Sequence, residues 1–346
     1  MKKSILLLFS VFAILFMFNA CSTDVDLYAD YKDITVVYGL LDSGADTNFI
    51  KINKAFCGNN DEPIDALEAA QIADSSNYAG KLNAKLIEYR ANASSSNFQK
   101  TDEFQLDTIT VHNKDLGIFY APDQLVYYTT RRIKANGDKY KYRYELEIAI
   151  GDSIISAVTD VVGGSGFYMP QSSLNFSSSA NNGTVLWSKC PNSAIYEVVF
   201  KFHFIEVNTA NDSVERVMTW PLGSHPEYSL SFENGTYNIP YKASLFFYNL
   251  ASFLGDDTLN PNITERLIYD PSLEVSIAAG GDELYNFITV NGPSSSIVQT
   301  LPEYTNVKGG YGVLSSRYML KKRMKLAGNT IPELKARENW HFKQVK

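Results

Sequence analysis

Period-two alternation constrains this chain more than any other feature. Tyr140, Tyr142, Tyr144, Leu146, Ile148 and Ile150 alternate with Lys141, Arg143, Glu145, Glu147 and Ala149. Farther on, Ala194, Tyr196, Val198, Phe200, Phe202 and Phe204 alternate with Ile195, Glu197, Val199, Lys201, His203 and Ile205. Successive strand side chains point to opposite faces, so each run predicts a strand with one buried face. Partners of the same kind surround them. Ile34–Asp42 and Thr47–Phe56 flank a polar turn at Ser43–Asp46 and predict a hairpin. Leu82–Tyr89, Leu125–Thr130, Ser153–Val162 and Leu273–Ala279 predict further strands. The chain has 22 Tyr and 20 Phe, residues that suit half-buried pleated surfaces and so strengthen the β assignment.

Helical signals are fewer. Ile64–Ala73 and Lys242–Leu254 have helix-favouring composition, the second with an apolar side formed by Ala243, Phe246, Phe247 and Leu250. Asp282 is placed to cap a short helix over Glu283–Val290. Asn262–Tyr269 suggests one more helical turn, and the glycine-rich Thr305–Met319 a closing hairpin. The expectation is a mainly β chain with minor helices.

At 346 residues the chain exceeds one ordinary core, which points to two domains. Residues 34–165 read as an antiparallel β-sandwich or barrel. Residues 166–183, opened by the flexible Gly163–Gly166, read as a linker or long loop. Residues 184–325 read as a second β-rich domain with short helices, and 326–346 as a tail. In the second half, LWSKCPNSAIYEVVFKF (186–202) resembles the fibronectin type III pattern of a tryptophan strand before an Ala-x-Tyr-x-Val strand. The resemblance implies a fibronectin-like sandwich, although other sandwiches share such strands.

The N-terminus gives an address. Lys2 and Lys3 precede the apolar run Ser4–Phe18, and Asn19-Ala20-Cys21 leads directly into polar sequence. That is the layout of a signal peptide over 1–20, and its apolar core is shorter than the roughly 20 residues a spanning helix needs. A cysteine after alanine at that point resembles the lipobox of bacterial lipoproteins. The resemblance implies cleavage before Cys21 and acylation of Cys21 with lipid of the outer membrane, followed by a tether over 21–33. Phe18 and Asn19 depart from the commonest lipobox. The acidic STDVDLYADYKD (22–33) resembles the surface-export signals of Bacteroidota lipoproteins, with a less dense charge. Display on the cell surface is the first expectation, the periplasmic face the second.

Two further stretches resemble Bacteroidota outer-surface lipoproteins. One is Asp33–Phe56; the other is Tyr304-Thr305-Asn306 followed by Gly310, Gly312 and Ser315-Ser316-Arg317. This family offers no established catalytic residues, so the resemblance implies an address and a β-rich architecture, not a reaction.

Chemistry-bearing residues are sparse. Besides Cys21, Cys57 and Cys190 admit one disulfide or two separate buried thiols, and the four histidines show no zinc-ligand spacing. No metal site and no cofactor is expected. A net charge of −7 repels phosphate backbones and argues against nucleic acid as a partner. Gly309-Gly310-Tyr311-Gly312 lacks phosphate-loop spacing, and Ser315-Ser316 lacks a nucleophile elbow. Two residues stand as candidates for ligand or partner contact. Trp220, beside Leu222-Gly223-Ser224-His225, is placed to form an exposed aromatic patch, and Arg317 to pair with a carboxylate or touch a ligand. The first reading is a noncatalytic envelope lipoprotein that binds or assembles with a protein or glycan partner. The alternatives are a glycan hydrolase whose carboxylates converge only in the fold, and a structural scaffold.

Overall fold

The computed structural model describes residues 34–55, 76–112, 115, 117, 120, 123–255, 260, 262–292 and 303–345. The signal segment, Cys21, the acidic tether, the helix expected over 64–73 and Cys57 lie outside the described residues.

The chain is mainly β. β1 (Ile34–Asp42) and β2 (Asn48–Ala55) form the expected hairpin, with Val37 opposite Ile52. β3 (Asn83–Asn92), β4 (Gln99–Gln105), β5 (Asp107–Val111), β6 (Gln124–Thr129), β7 (Tyr140–Ile150) and β8 (Ser153–Asp160) complete the first half. β9 (Ser173–Asn175) and β10 (Asn182–Ser188) lead to the long pair β11 (Ile195–Asn208) and β12 (Ser213–Pro226). After β13 (Ser231–Glu233) and β14 (Thr236–Lys242) come helix α1 (Ser244–Leu254), β15 (Ile263–Ile268), β16 (Leu273–Gly280) and helix α2 (Asp282–Asn291). β17 (Val307–Lys308), β18 (Gly310–Ala327), helix α3 (Thr330–Ala336) and β19 (Phe342–Gln344) close the chain.

Two sandwiched cores result, and neither is a closed barrel. In the first, β17-β8-β7-β3-β4 faces β1, β2, β6 and β5. Alternation decides its filling: Tyr144, Leu146 and Ile148 of β7 meet Val37, Leu41, Ile50 and Leu86. In the second, β10-β14-β13 and α1 cover β11, β12 and β16. Here Tyr196, Val198, Phe200, Phe202 and Phe204 are all buried, as the pattern predicts. Each such side chain contributes about 1.5–3 kcal/mol on leaving water. Trp187 from β10 meets Tyr196 from β11 with ring centroids 5.5 Å apart.

β18 belongs to both cores. It runs parallel to β1 over Gly310–Arg317 and antiparallel to β16 over Arg317–Met324. On one face Leu314 enters the first core, while Met324 and Leu326 enter the second. The principal sheet therefore continues from β5 through β18 to β19, and the boundary expected at 163–184 does not separate two sheets.

Several expectations are corrected. Residues 166–183, expected as a linker or long loop, are packed into the second core: Phe167, Met169, Leu174 and Phe176 are buried, and Phe176 stacks on Phe246 at 4.6 Å. Residues 326–346 are not a free tail, because Leu334 and Phe342 are buried and β19 pairs with β15. Asn262–Tyr269 forms a strand, with Arg266 and Ile268 buried on one side. Thr305–Met319 makes no hairpin; its glycines let one strand press against β1. At Gly312, φ is +104° and an added Cβ would overlap the Val37 carbonyl oxygen. The basic Lys321–Lys325 lies within β18, where it supplies salt-bridge partners: Arg323 is 3.5 Å from Glu274 and Lys325 3.4 Å from Asp270.

Candidate functional site

The strongest candidate lies on the outer face of the principal sheet, under α2. The strand registers build it. Arg317 of β18 sits opposite Gly280 of β16, and Gly280 opposite Ile195 of β11. One step along, Glu197 of β11 lies between Ala278 of β16 and Ser224 of β12. The small residues of β16 make a floor, and longer side chains on either side make walls. Arg317 and Glu197 are two strands apart and offset by two residues, about 12 Å at ordinary strand spacing. Leu284 and Ile288, four residues apart on α2, share a helix face and close the top. The result is a notch of about 190 Å³. Gly280 lets Leu284 settle close to the floor, since a Cβ there would lie 2.8 Å from Leu284 Cδ2 and push that side chain aside.

The helix is fixed by the serines of the C-terminal motif. The Leu284 amide donates to Ser315 Oγ at 3.2 Å, and Ser315 Oγ donates to Glu283 Oε2 at 3.2 Å. Thr159 Oγ1 of β8 donates to the same Glu283 oxygen at 3.2 Å. The Gly281 amide donates to the Ser316 carbonyl at 3.0 Å, and Ser316 Oγ accepts the Val162 amide at 3.0 Å. Asp282 is thus in the first turn, with Gly281 rather than Asp282 in the cap position. Burial pushes the Glu283 carboxyl above the ordinary glutamate range, and the nearby Asp160 charge adds to that rise. Asn306 completes the seam: its side-chain amide donates to the Val158 and Leu314 carbonyls and accepts the Leu314 amide.

An aromatic pair stands beside α2. Tyr228 is 79% exposed and meets Tyr285 edge to face, with centroids 6.3 Å apart. Their hydroxyls are 3.4 Å apart. On the other side of the helix, Tyr38 meets Phe287 at 5.9 Å.

The two sequence candidates separate. Arg317 lines the notch, and its Nε donates to Asp42 Oδ2 at 3.2 Å, the residue opposite it on β1. Trp220 is not an exposed platform. It is 7% exposed and packs edge to face on Phe200 at 5.4 Å, because β12 continues to Pro226 and turns this position inward. Residues 222–225 beside it are strand, with Gly223 at a positive φ. Trp187 is buried as well, and Trp340 packs half-buried against the second core. Sequence reasoning missed Tyr228, Tyr285 and Glu283. Tyr228 lies only three residues past His225, but its pairing with α2 depends on contacts distant in sequence.

Among the described residues, no three His, Cys, Asp or Glu side chains are grouped to hold a metal ion. Cys190 is a free, buried thiol. Compared with known protein families and with curated proteins, the chain matches none.

Proposed function

We propose that this chain is a noncatalytic lipoprotein of the outer membrane, held through acylated Cys21, that binds a protein partner of the envelope with the face around α2. The observation that carries the reading is the pairing of the notch with the exposed Tyr228–Tyr285 edge. The notch, at about 190 Å³, lies below the roughly 300–1,000 Å³ of typical small-molecule pockets, so it suits one inserted side chain. Tyrosines beside such a notch are the residues that most often anchor protein interfaces. A glycan hydrolase needs two carboxylates flanking its bond. Glu197 is the single carboxylate lining the notch, and this favours binding over hydrolysis. A pure scaffold would have no use for a recessed site with an aromatic edge. Surface display, and service beside a glycan or peptide transporter, are extensions of the same proposal.

The test is purification of the full lipidated chain from its own membranes, as wild type and as Tyr228→Ala, with identification of what accompanies each. A discrete partner retained by the wild type and depleted from the variant supports the proposal. The same companions in both preparations overturn it.

A further inference from the structure

Given a partner on the face around α2, the notch also selects the side chain it receives. Its walls are mostly apolar: Leu40, Ile195, Leu284 and Ile288 stand around the small floor residues Ala278 and Gly280. Hydrocarbon settles against such walls, whereas a polar group without a bond would be costly there. The charged groups at the mouth then decide what the tip of the inserted side chain must carry.

Two charged side chains line the notch, Glu197 and Arg317, and they are not equivalent. Arg317 already has a counter-ion, since its Nε donates to Asp42 Oδ2 at 3.2 Å. Glu197 has none. It is exposed on β11, and among the described residues none is hydrogen-bonded or ion-paired to its carboxylate. Its cross-strand neighbours, Ser224 and Ala278, carry no charge.

The other charges nearby do not offset it. On α2 the charged residues are Asp282 and Glu283, both acidic, and Glu283 is turned to Ser315 and Thr159. Glu227, just past β12, is held by Lys189 at 2.6 Å. On the sheet face the next cations are Lys201 and Lys321. Lys201 is four residues along β11, about 13 Å of strand. Lys321 stands opposite Ser276, and Ser276 opposite Val199. That puts Lys321 two strands away and two residues along, about 12 Å from Glu197. Both separations exceed the roughly 8–10 Å over which exposed charges act at ordinary salt. Farther along β18, Arg323 and Lys325 are paired with Glu274 and Asp270. One wall of the notch therefore ends in an uncompensated negative charge.

Lysine and arginine match this arrangement. Their methylene stems lie along apolar surface while the charged head stays in water. A partner carboxylate would meet an Arg317 already neutralised and a repelling Glu197. An aliphatic side chain would fill the walls but gain nothing from Glu197.

We infer that the notch receives a lysine or arginine side chain of the partner, with its stem against Leu284 and Ile288 and its head at Glu197. This rests on the partner-binding reading above, and its test uses defined probes in place of the partner. The full chain, purified from its membranes in a non-ionic detergent, is titrated by saturation-transfer NMR. The probes are capped pentapeptides of glycine with arginine, lysine, norleucine or glutamate at the centre. The arginine or lysine peptide gives saturable transfer and binds more tightly than the norleucine peptide, and the glutamate peptide binds weakest. Glu197→Gln weakens the basic peptide about fivefold, the upper range for an exposed ion pair, and leaves the norleucine peptide unchanged. Glu233→Gln, at an exposed carboxylate of β13, leaves both unchanged. Norleucine or glutamate binding as tightly as the basic peptides, basic binding indifferent to Glu197→Gln, or no saturable transfer from any peptide overturns the inference. A partner that depends on Tyr228 while the basic peptides fail leaves the proposed function standing and removes only the preference of the notch. Basic peptides that bind while no partner depends on Tyr228 do the reverse.

Discussion

Ser315 of β18 donates its hydroxyl to Glu283 of α2 across 3.2 Å, and this bond joins the strand shared by both cores to the helix that covers the notch. Both residues belong to stretches with other work to do: Ser315 alternates along a strand, and Glu283 sits in the first turn of a helix, where a negative charge is favourable.

Glu283 makes stability depend on pH in a defined direction. Burial raises its carboxyl in the folded chain above the ordinary glutamate value that the unfolded chain retains. Between those two values the folded chain holds more protons, so stability falls as pH rises through the window, and the full cost is present above it. Glu283→Gln removes that cost. Thermal melts of wild type and variant should therefore show the variant's relative stability increasing as pH rises from the ordinary glutamate value through the raised one. A difference that is constant or moves the other way contradicts this account of Glu283.

Gly312 tests the approach of β18 to β1. Its φ of +104° is strained for any residue with a Cβ, and that atom would overlap the Val37 carbonyl. Gly312→Ala should cost at least about 1–3 kcal/mol, the range for a strained backbone position. Urea unfolding at neutral pH checks it, with Gly151→Ala as a comparison, since Gly151 also has a positive φ but has open space around it. The Gly312 variant should be the less stable of the two.

The second core contains a buried ion pair. Arg266, fully buried, donates through Nε to Glu206 Oε1 at 2.8 Å and through Nη1 to the Trp340 carbonyl at 3.0 Å, and Arg216 donates to the other Glu206 oxygen at 2.7 Å. Removing Arg266 leaves the buried Glu206 carboxylate with Arg216 alone, and leaves one of its oxygens and the Trp340 carbonyl without their donor. Arg266→Ala should cost about 3–5 kcal/mol. Urea unfolding also reads whether α3 and β19 detach, since the Trp340 carbonyl loses its side-chain donor while the amide of residue 266 keeps its bond to the His341 carbonyl. A loss below 1 kcal/mol would contradict the pair's role, because exposed pairs account for about that much.

The alternating strands were legible because a period of two leaves little choice: β11 buries Tyr196 to Phe204 as its pattern selects, and β7 buries Tyr144, Leu146 and Ile148, while Tyr140 at its start is exposed. The hairpin of β1 and β2 and helix α1 were legible for the same reason, each resting on a local pattern. What escaped was non-local. Nothing near Gly310–Ala327 shows that this strand runs beside Ile34–Asp42, almost the whole chain away, and so a hairpin looked adequate. The polar passage 166–183 looked like a linker because its few apolar residues are spaced irregularly, yet Phe176 is a hub of the second core. Trp220 looked like a surface aromatic because proline and glycine follow it, but β12 tolerates both and continues. Of the site, Arg317 was legible through its motif; Tyr228, Tyr285 and Glu283 were not, because pairing across strands and a helix defines them.

The lipid anchor is tested by labelling cells with radioactive palmitate. The wild type should carry label and fractionate with membranes, while Cys21→Ala should carry none and remain a precursor or be released. Multiple acyl chains hold a protein far more firmly than one, so membrane residence should survive a high-salt wash. Label retained by Cys21→Ala would place the modification elsewhere.

The most direct measurement of the central proposal is photo-crosslinking in living cells, with a photoreactive residue introduced at Ser224, on the notch wall, or at Ile154, exposed on β8 away from it. The account predicts a discrete adduct of defined mass from Ser224 and none from Ile154. Equal adducts from both positions, or none from Ser224, would contradict a binding face under α2.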